Sequence, residues 1–259
     1  MKKMLFMSAV MSFLLLPIMQ AQLSDPLQLM DKARDLTMSG DIQSMVTLTI
    51  TEKNGSVRTR KLNMFTKTSP GGTIKRMVKF LDPADVRGTA MLIVDNKDVQ
   101  DDMWIYLPAL KKTRRIVSTE KGKSFMSSEF SNADMSSGSN SDFTIRHLPE
   151  SGKNDTWEIE SVPINDDKAD EYGFSRKVTF LDKKSLRTKK IDFYNFDNEL
   201  YKTIEIVGTQ PLVGKEGYIM TDMLAENHLN GRSSRVKFDD VNTSASIPDN
   251  TFIADNLAR

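Results

Sequence analysis

The sequence predicts a mainly β chain folded as one large antiparallel sheet, curled into a barrel or half-barrel. Three observations carry that expectation. Apolar and polar residues alternate through segment after segment, the period of a strand with one wetted face. Turn signals separate those segments, among them Asn54-Gly55, Ser69-Pro70-Gly71-Gly72 and Asn230-Gly231. Only one stretch reads convincingly as a helix, and strands do not alternate with helices as a parallel sheet requires. A sheet of about eleven strands must curl to limit its exposed edges.

The elements follow in order. Asp25 is an N-cap with Pro26 at the first helical position, and Gly40 is a stop. Leu27, Met30, Ala33 and Leu36 lie between them at three- and four-residue spacing, so an amphipathic helix is expected over about 26–38, packed on the sheet. In the first strand Ile42, Val46, Leu48 and Ile50 share a face, opposite Gln43, Thr47, Thr49 and Thr51. Asn54-Gly55 stands where a two-residue type I′ turn belongs. The return strand sets Leu62 and Met64 against Thr59, Lys61 and Asn63, and the third sets Ile74, Val78 and Phe80 against Lys75, Met77 and Lys79. These three strands present one apolar and one largely polar face.

After Asp82-Pro83 and Gly88 the run MLIVDN is apolar on both faces, as a central strand would be. Trp104 to Leu107 and Arg114 to Val117 continue the sheet. The segment from Phe125 to Met135 is rich in Met, Phe and Ser and follows neither period, so it reads as an apolar flap beside the strands. Residues 136–141 are a loop by composition. The second half repeats the style. Strands are expected over Phe143 to Leu148, Trp157 to Val162, and around Phe174, Val178 and Phe180. They continue around Ile191 and Phe193, around Leu200, Ile204 and Ile206, and over Tyr218 to Ala225 and Arg232 to Val241.

The N-terminus carries Lys2 and Lys3, then an apolar run from Leu5 to Met19. That run is shorter than the ~20 residues that span a bilayer. It reads as a secretory signal peptide cleaved near Ala21, with a retained anchor as the alternative. The expected organisation is a leader over 1–21 and one domain over 22–259. With 36 basic and 35 acidic residues the chain is near neutral, which gives no electrostatic basis for binding nucleic acid. It has no cysteine, so disulfides, thiolate chemistry, sulfur metal sites and a lipid-modified N-terminal cysteine are excluded. An exported chain without disulfides is held by burial alone, which favours one continuous core. Sixteen methionines suit an apolar surface that adapts to variable partners.

No constellation of residues carries chemistry. His147 and His228 are the only histidines, and no G-x-S-x-G elbow or similar motif accompanies them. Asp166, Asp167, Asp170 and Glu171 cluster, but their spacing fails the calcium-loop pattern, so they read as a solvated turn. There is no glycine-rich phosphate loop. The basic run Lys111, Lys112, Arg114 and Arg115 reads as a solvated strand end, or as a contact for lipid head groups or an acidic partner. The apolar sheet face is the stronger feature. With one helix and one flap to cover it, part of a large face is left without a permanent cover. Exposed apolar area costs roughly 25 cal/mol per Å² and usually marks a binding site. A cavity for acyl chains follows from that shortage of cover.

Three stretches resemble the periplasmic outer-membrane lipoprotein-sorting proteins, the LolA-like group. They are F-x-x-P-x-x-x-x-G (Phe80, Pro83, Gly88), W-x-Y-x-P-x-x-x-K-x-R-R-I (Trp104 to Ile116) and the segment from Phe125 to Met135. The resemblance is dense over about 80–137; the ending I-P-D-N-T-F-x-x-x-x-L (Ile247 to Leu257) also fits it. It implies a strongly curved antiparallel half-barrel with an N-terminal helix, a short helical lid and an apolar interior. It also implies a non-enzymatic periplasmic carrier of lipid or acylated lipoprotein that touches membranes transiently and works beside an RND-type inner-membrane exporter. No cofactor and no metal is implied.

On this reading Ile42, Val46, Leu48, Ile50, Leu62, Met64, Ile74, Val78, Phe80, Leu92, Val94, Trp104 and Tyr106 line the cavity. Phe125, Met126, Phe130 and Met135 form the lid. The rival readings are an envelope adaptor that docks a protein through its apolar face, and an envelope lipid hydrolase.

Overall fold

The structure, a computed structural model, describes residues 25–37, 40–96, 99–149, 151 and 155–258. The leader expected over 1–21 lies outside them, as does Gly152 of the expected turn. The chain begins with α1 (Pro26–Asp35), where the Asp25 carboxylate accepts the Leu27 N–H at 3.0 Å and Pro26 opens the helix. Leu29 and Ala33 are its buried residues, packed against Ile159, Leu181 and Leu186. Leu27, which spacing placed on the buried stripe, is 44% exposed.

The first six strands are β1 (Ile42–Thr51), β2 (Val57–Thr68), β3 (Ile74–Asp82), β4 (Ala90–Asp95), β5 (Asp102–Leu107) and β6 (Lys112–Arg115). A short helix α2 (Ser118–Lys121) and three 3₁₀ turns follow, at Phe125–Ser127, Ala133–Met135 and Asn140–Asp142. Next come β7 (Phe143–His147), β8 (Thr156–Pro163), α3 (Asp166–Tyr172), β9 (Arg176–Asp182) and β10 (Thr188–Tyr194). Three long strands end the sheet: β11 (Leu200–Pro211), β12 (Tyr218–Asn227) and β13 (Ser233–Asn242). Every segment read as a strand is one, and they number thirteen rather than about eleven.

All pairings are antiparallel, in the order β6-β5-β4-β3-β2-β1-β13-β12-β11-β10-β9-β8-β7. The sheet is a strongly curved half-barrel and does not close. Its centre is the seam between β1 and β13, where Leu48 faces Val236 and Val46 faces Phe238. Because β6 and β7 are neighbours in sequence but lie at opposite edges, residues 116–142 must cross between those edges. This crossing forms a strap over the concave face. Phe125 and Phe130 of the strap are buried in the main core with Val46, Leu48, Leu62, Val78, Phe193, Ile204 and Val236. The convex face is covered over β3–β5 by the chain after β13, whose Ile247, Phe252 and Leu257 pack on Met77, Ala90 and Leu92.

Two local expectations are corrected. Thr51 pairs with Val57, and the Glu52 N–H donates to the Ser56 carbonyl at 2.9 Å, so the first hairpin has a three-residue loop. The Asn54 carboxamide accepts the Ser56 N–H at 3.0 Å, and Gly55 alone takes the positive φ, at 83°. The acidic cluster is no solvated turn but α3. Asn165 caps it by accepting the Lys168 N–H at 2.9 Å, Asp166 and Asp167 sit at the positive end of its dipole, and Gly173 ends it at φ 77°.

The strap docks on α3 through two glycines. A Cβ on Gly122 would lie 3.0 Å from both the Cα and the N of Gly173, although the Gly122 φ of −69° suits any residue. Gly122→Ala should therefore destabilise by about 1–3 kcal/mol through overpacking. Urea unfolding checks this; an unchanged midpoint would mean that the two backbones do not touch.

Candidate functional site

The concave face keeps a partly open cavity of about 270 Å³, nearly twice the ~150 Å³ of an engineered apolar cavity that binds benzene. Strands from both halves wall it. Val46 and Leu48 come from β1, Leu62 and Met64 from β2, and Val78 from β3. Ile191, Phe193, Ile204, Ile206, Met223, Val236 and Phe238 come from β10–β13. Met30 and Ala33 of α1 close one side, and Phe125, Phe130, Ala133 and Met135 of the strap form the roof.

The thirteen side chains expected at the cavity divide three ways. Val46, Leu48, Leu62, Met64 and Val78 stand on its wall. Ile42, Ile50 and Phe80 belong to the same core cluster beyond the wall, and Ile74 is buried on the same strand face without reaching it. Leu92, Val94, Trp104 and Tyr106 are corrected: they lie on the convex face with Met77, under the C-terminal segment. The reason is the phase of β4. Val78 pairs with Met91 and Met77 with Leu92, so Met91 and Ile93 face inward. Leu92 in turn pairs with Trp104, which carries the aromatic residues outward.

In the strap, Phe125, Phe130 and Met135 roof the cavity, while Met126 packs on the core without reaching it. The basic run does not line the cavity. Arg114 forks onto Glu120 at 2.7 and 3.1 Å, and Arg115 pairs with Asp102 beside the Trp104 ring. Lys111 and Lys112 are exposed. Neither histidine is on the wall: His147 contacts the Ser151 hydroxyl at 3.0 Å, and His228 contacts that of Thr203 at 2.8 Å. Among the described residues no cluster of His, Cys, Asp or Glu fit for a metal ion is present, and no helix is long and apolar enough to cross a membrane.

Polar groups fasten the strap. The fully buried Asp95 accepts from Arg34 at 2.9 Å, from Arg76 at 3.0 Å and from the Ser137 N–H at 2.9 Å. One carboxylate thus ties α1, β3, β4 and the strap together. Burial alone would raise its pKa, but Arg76, the Ser137 amide and Arg34 outweigh that and bring it below the ordinary value. Lys202 of β11 holds Asp134 at 2.7 Å, and Arg232 donates to the Ser127 carbonyl at 2.9 Å. Arg60 of β2 donates to the Met126 carbonyl.

Sequence reading placed no side chain of β9–β13 on this wall, and among those it missed is a lysine. Lys177 of β9 lines the cavity, opposite Phe193 in one direction and Ser161 in the other. It is half-buried by area yet ringed by protein, and its ammonium lies 4.7 Å from the Phe143 ring centroid and 5.9 Å from that of Phe174. Burial pushes it down to about 8, with Asp134 opposing the fall and Lys202 adding to it. The neighbouring phenols of Tyr172 and Tyr201 are raised by burial and stay neutral.

The comparisons with known proteins agree with this architecture. A DUF1329-like family model, described as an uncharacterized protein, matches residues 72–259. No curated protein matches the chain. A domain from Vibrio parahaemolyticus assigned to outer membrane lipoprotein sorting is 26% identical, with a TM-score of 0.81 over 92% of this chain and 100% of that one. A DUF1329 family protein from Desulfovibrio piger is 25% identical, with a TM-score of 0.77 over 90% of this chain and 100% of that one. A LolA superfamily protein from Nitrosomonas europaea shares the fold at 17% identity, with a TM-score of 0.66 over 89% of this chain and 98% of its own.

Two expectations follow from the charges. Asp95→Asn leaves two guanidiniums without their counter-ion and should cost about 3–5 kcal/mol in urea unfolding. Amide exchange should rise over 133–137; protection there equal to that of the unaltered protein would refute the tie. The carboxylate's contribution is present above its unfolded pKa of about 3.9 and is lost as pH falls through the lower folded value.

Lys177 has the opposite sign. Its folded pKa of about 8 lies below the ~10.4 of a free lysine, so folding releases a proton between those values and stability rises with pH there. Lys177→Met should therefore be more stable than the unaltered protein at pH 7, by a margin that shrinks towards pH 10. A margin that is flat or widens would overturn this account.

Proposed function

The chain belongs to the DUF1329-like family and has the LolA-like fold, and from that premise we propose that it is a non-enzymatic lipid carrier. The observation that carries this reading is the cavity between the concave face and a strap that is not part of the sheet. An acyl chain gains about 0.8 kcal/mol for each methylene taken from water, so apolar walls hold a tail without any specific polar contact. Hydrogen bonds and ion pairs fasten the strap at its margins. Releasing them lifts Phe125 and Phe130 off the core and opens the cavity to a longer tail.

The finer steps belong to the same proposal. The chain is exported, its leader is removed near Ala21, and it moves lipid or an acylated lipoprotein between the inner and outer membranes with an RND-type exporter as partner. The family resemblance supports that route. Native mass spectrometry of the protein purified from a bacterial periplasm tests it. Co-purified lipid is expected. Met223→Trp, which fills the cavity from β12, should lower binding of a fluorescent acyl probe at least tenfold. Repeated recovery of empty protein that takes up no probe would reject carriage and favour the adaptor reading.

A further inference from the structure

Three polar side chains on the concave face have no hydrogen-bond partner, and all three lie on neighbouring positions of β8 and β9. Lys177 and Ser161 are cross-strand neighbours on β9 and β8, and Thr179 is two residues along β9 on the same face. Ser161 is 1% exposed and Thr179 3%, and neither buried hydroxyl has a hydrogen-bond partner. Among the described residues the Lys177 ammonium has no hydrogen-bond acceptor and no ion-pair partner, only the faces of Phe143 and Phe174. Lys177 and Thr179 both line the cavity.

Such orphans are rare, because a buried polar group without a partner loses its hydration for nothing in return. Cross-strand neighbours sit about 5 Å apart at Cβ, so Lys177 and Ser161 start from adjacent positions on one face, with Thr179 next along the strand. The other cations show that the chain could have supplied partners. Of the three cationic side chains that line the cavity among the described residues, Arg34 and Arg76 both bind Asp95. Asp134, the carboxylate on the lining, is already held by Lys202 at 2.7 Å and by the Ser131 N–H at 2.7 Å. One positive charge and the Thr179 side chain are left on the lining, with the Ser161 hydroxyl buried beside them and off the lining.

We propose that Lys177, Ser161 and Thr179 form an oxyanion site that receives the head of the cargo: the cavity takes an acyl chain ending in a carboxylate or phosphate. This rests on the carrier reading and adds orientation to it. The ammonium supplies charge and the hydroxyls supply two directed donors, while the tail runs along the wall of β10–β13. A charge-assisted hydrogen bond is stronger than a neutral one, so the head group sets which end of the ligand enters that corner.

Titration of the full-length mature protein with dodecanoate, dodecyl phosphate and dodecanol, each below its micellar concentration, tests this. Both anions, or one of them, should bind at least tenfold more tightly than the alcohol, and the stronger of the two distinguishes a fatty-acid source from a phospholipid source. Lys177→Met should bring anion affinity down to that of dodecanol, and the double variant Ser161→Ala with Thr179→Val should lower it about threefold. Equal affinity for all three ligands, or an anion preference that survives Lys177→Met, overturns the head-group site and leaves the carrier reading intact. Failure of all three to bind removes both.

Discussion

Pairing β1 with β13 is the constraint from which the rest of the architecture follows. It joins the start and end of the sheet at its centre and so drives β6 and β7, consecutive in the chain, to opposite edges. A closed barrel would pair those edges; here the connection crosses the concave side instead. The strap is therefore a consequence of topology before it is a device. What it covers is decided by side-chain length on a curved surface, where Val46, Leu48 and Val236 leave space that Phe125 and Phe130 roof over but do not fill.

The strap is held differently from the sheet beneath it. Ladder hydrogen bonds and tight apolar packing hold the sheet, whereas the strap adds to the burial of Phe125 and Phe130 a few charged side chains that reach up from the concave face. Arg60 and Arg232 end on strap carbonyls, Lys202 on Asp134, and Arg34 and Arg76 on an aspartate that also holds the Ser137 amide. When the strap lifts, each of these donors and acceptors exchanges its protein partner for water. Segments fastened in this way belong to the low-stability end of a fold, where opening does not require global unfolding.

The sheet was legible because alternation and turn residues are local signals. The helix start at Asp25-Pro26 and the inward set of β1 follow directly from spacing. The phase of β4 did not, because Ala90 to Asp95 is buried at nearly every position and alternation cannot choose a face. Only pairing with β3 decides it, and the error carried Trp104 and Tyr106 with it. The second half of the wall escaped for a related reason. In β9 the more apolar phase, through Val178, faces outward beside Glu160 and Asp192, while Lys177, Thr179 and Leu181 face in. A strand with a lysine on its buried side reads backwards by composition, and a functional site is where such local rules fail. The signals for α3 were present in Asn165 and Gly173, but the acidic residues between them drew attention to charge instead of caps.

That inversion in β9 bears on what the cavity is for. Apolar walls alone bind any hydrocarbon in either direction, because dispersion and water release do not distinguish the ends of a chain. A carrier that must hand its cargo on gains from holding it one way round. Leucine at position 177 would make a more stable empty protein, yet the chain places an ammonium there, unpaired and shifted down to about 8. Beside it in the sheet stand a serine and a threonine whose buried hydroxyls have no hydrogen-bond partner. Stability is held below its optimum at one corner of a largely apolar chamber, which is what a site for a negatively charged head group would require.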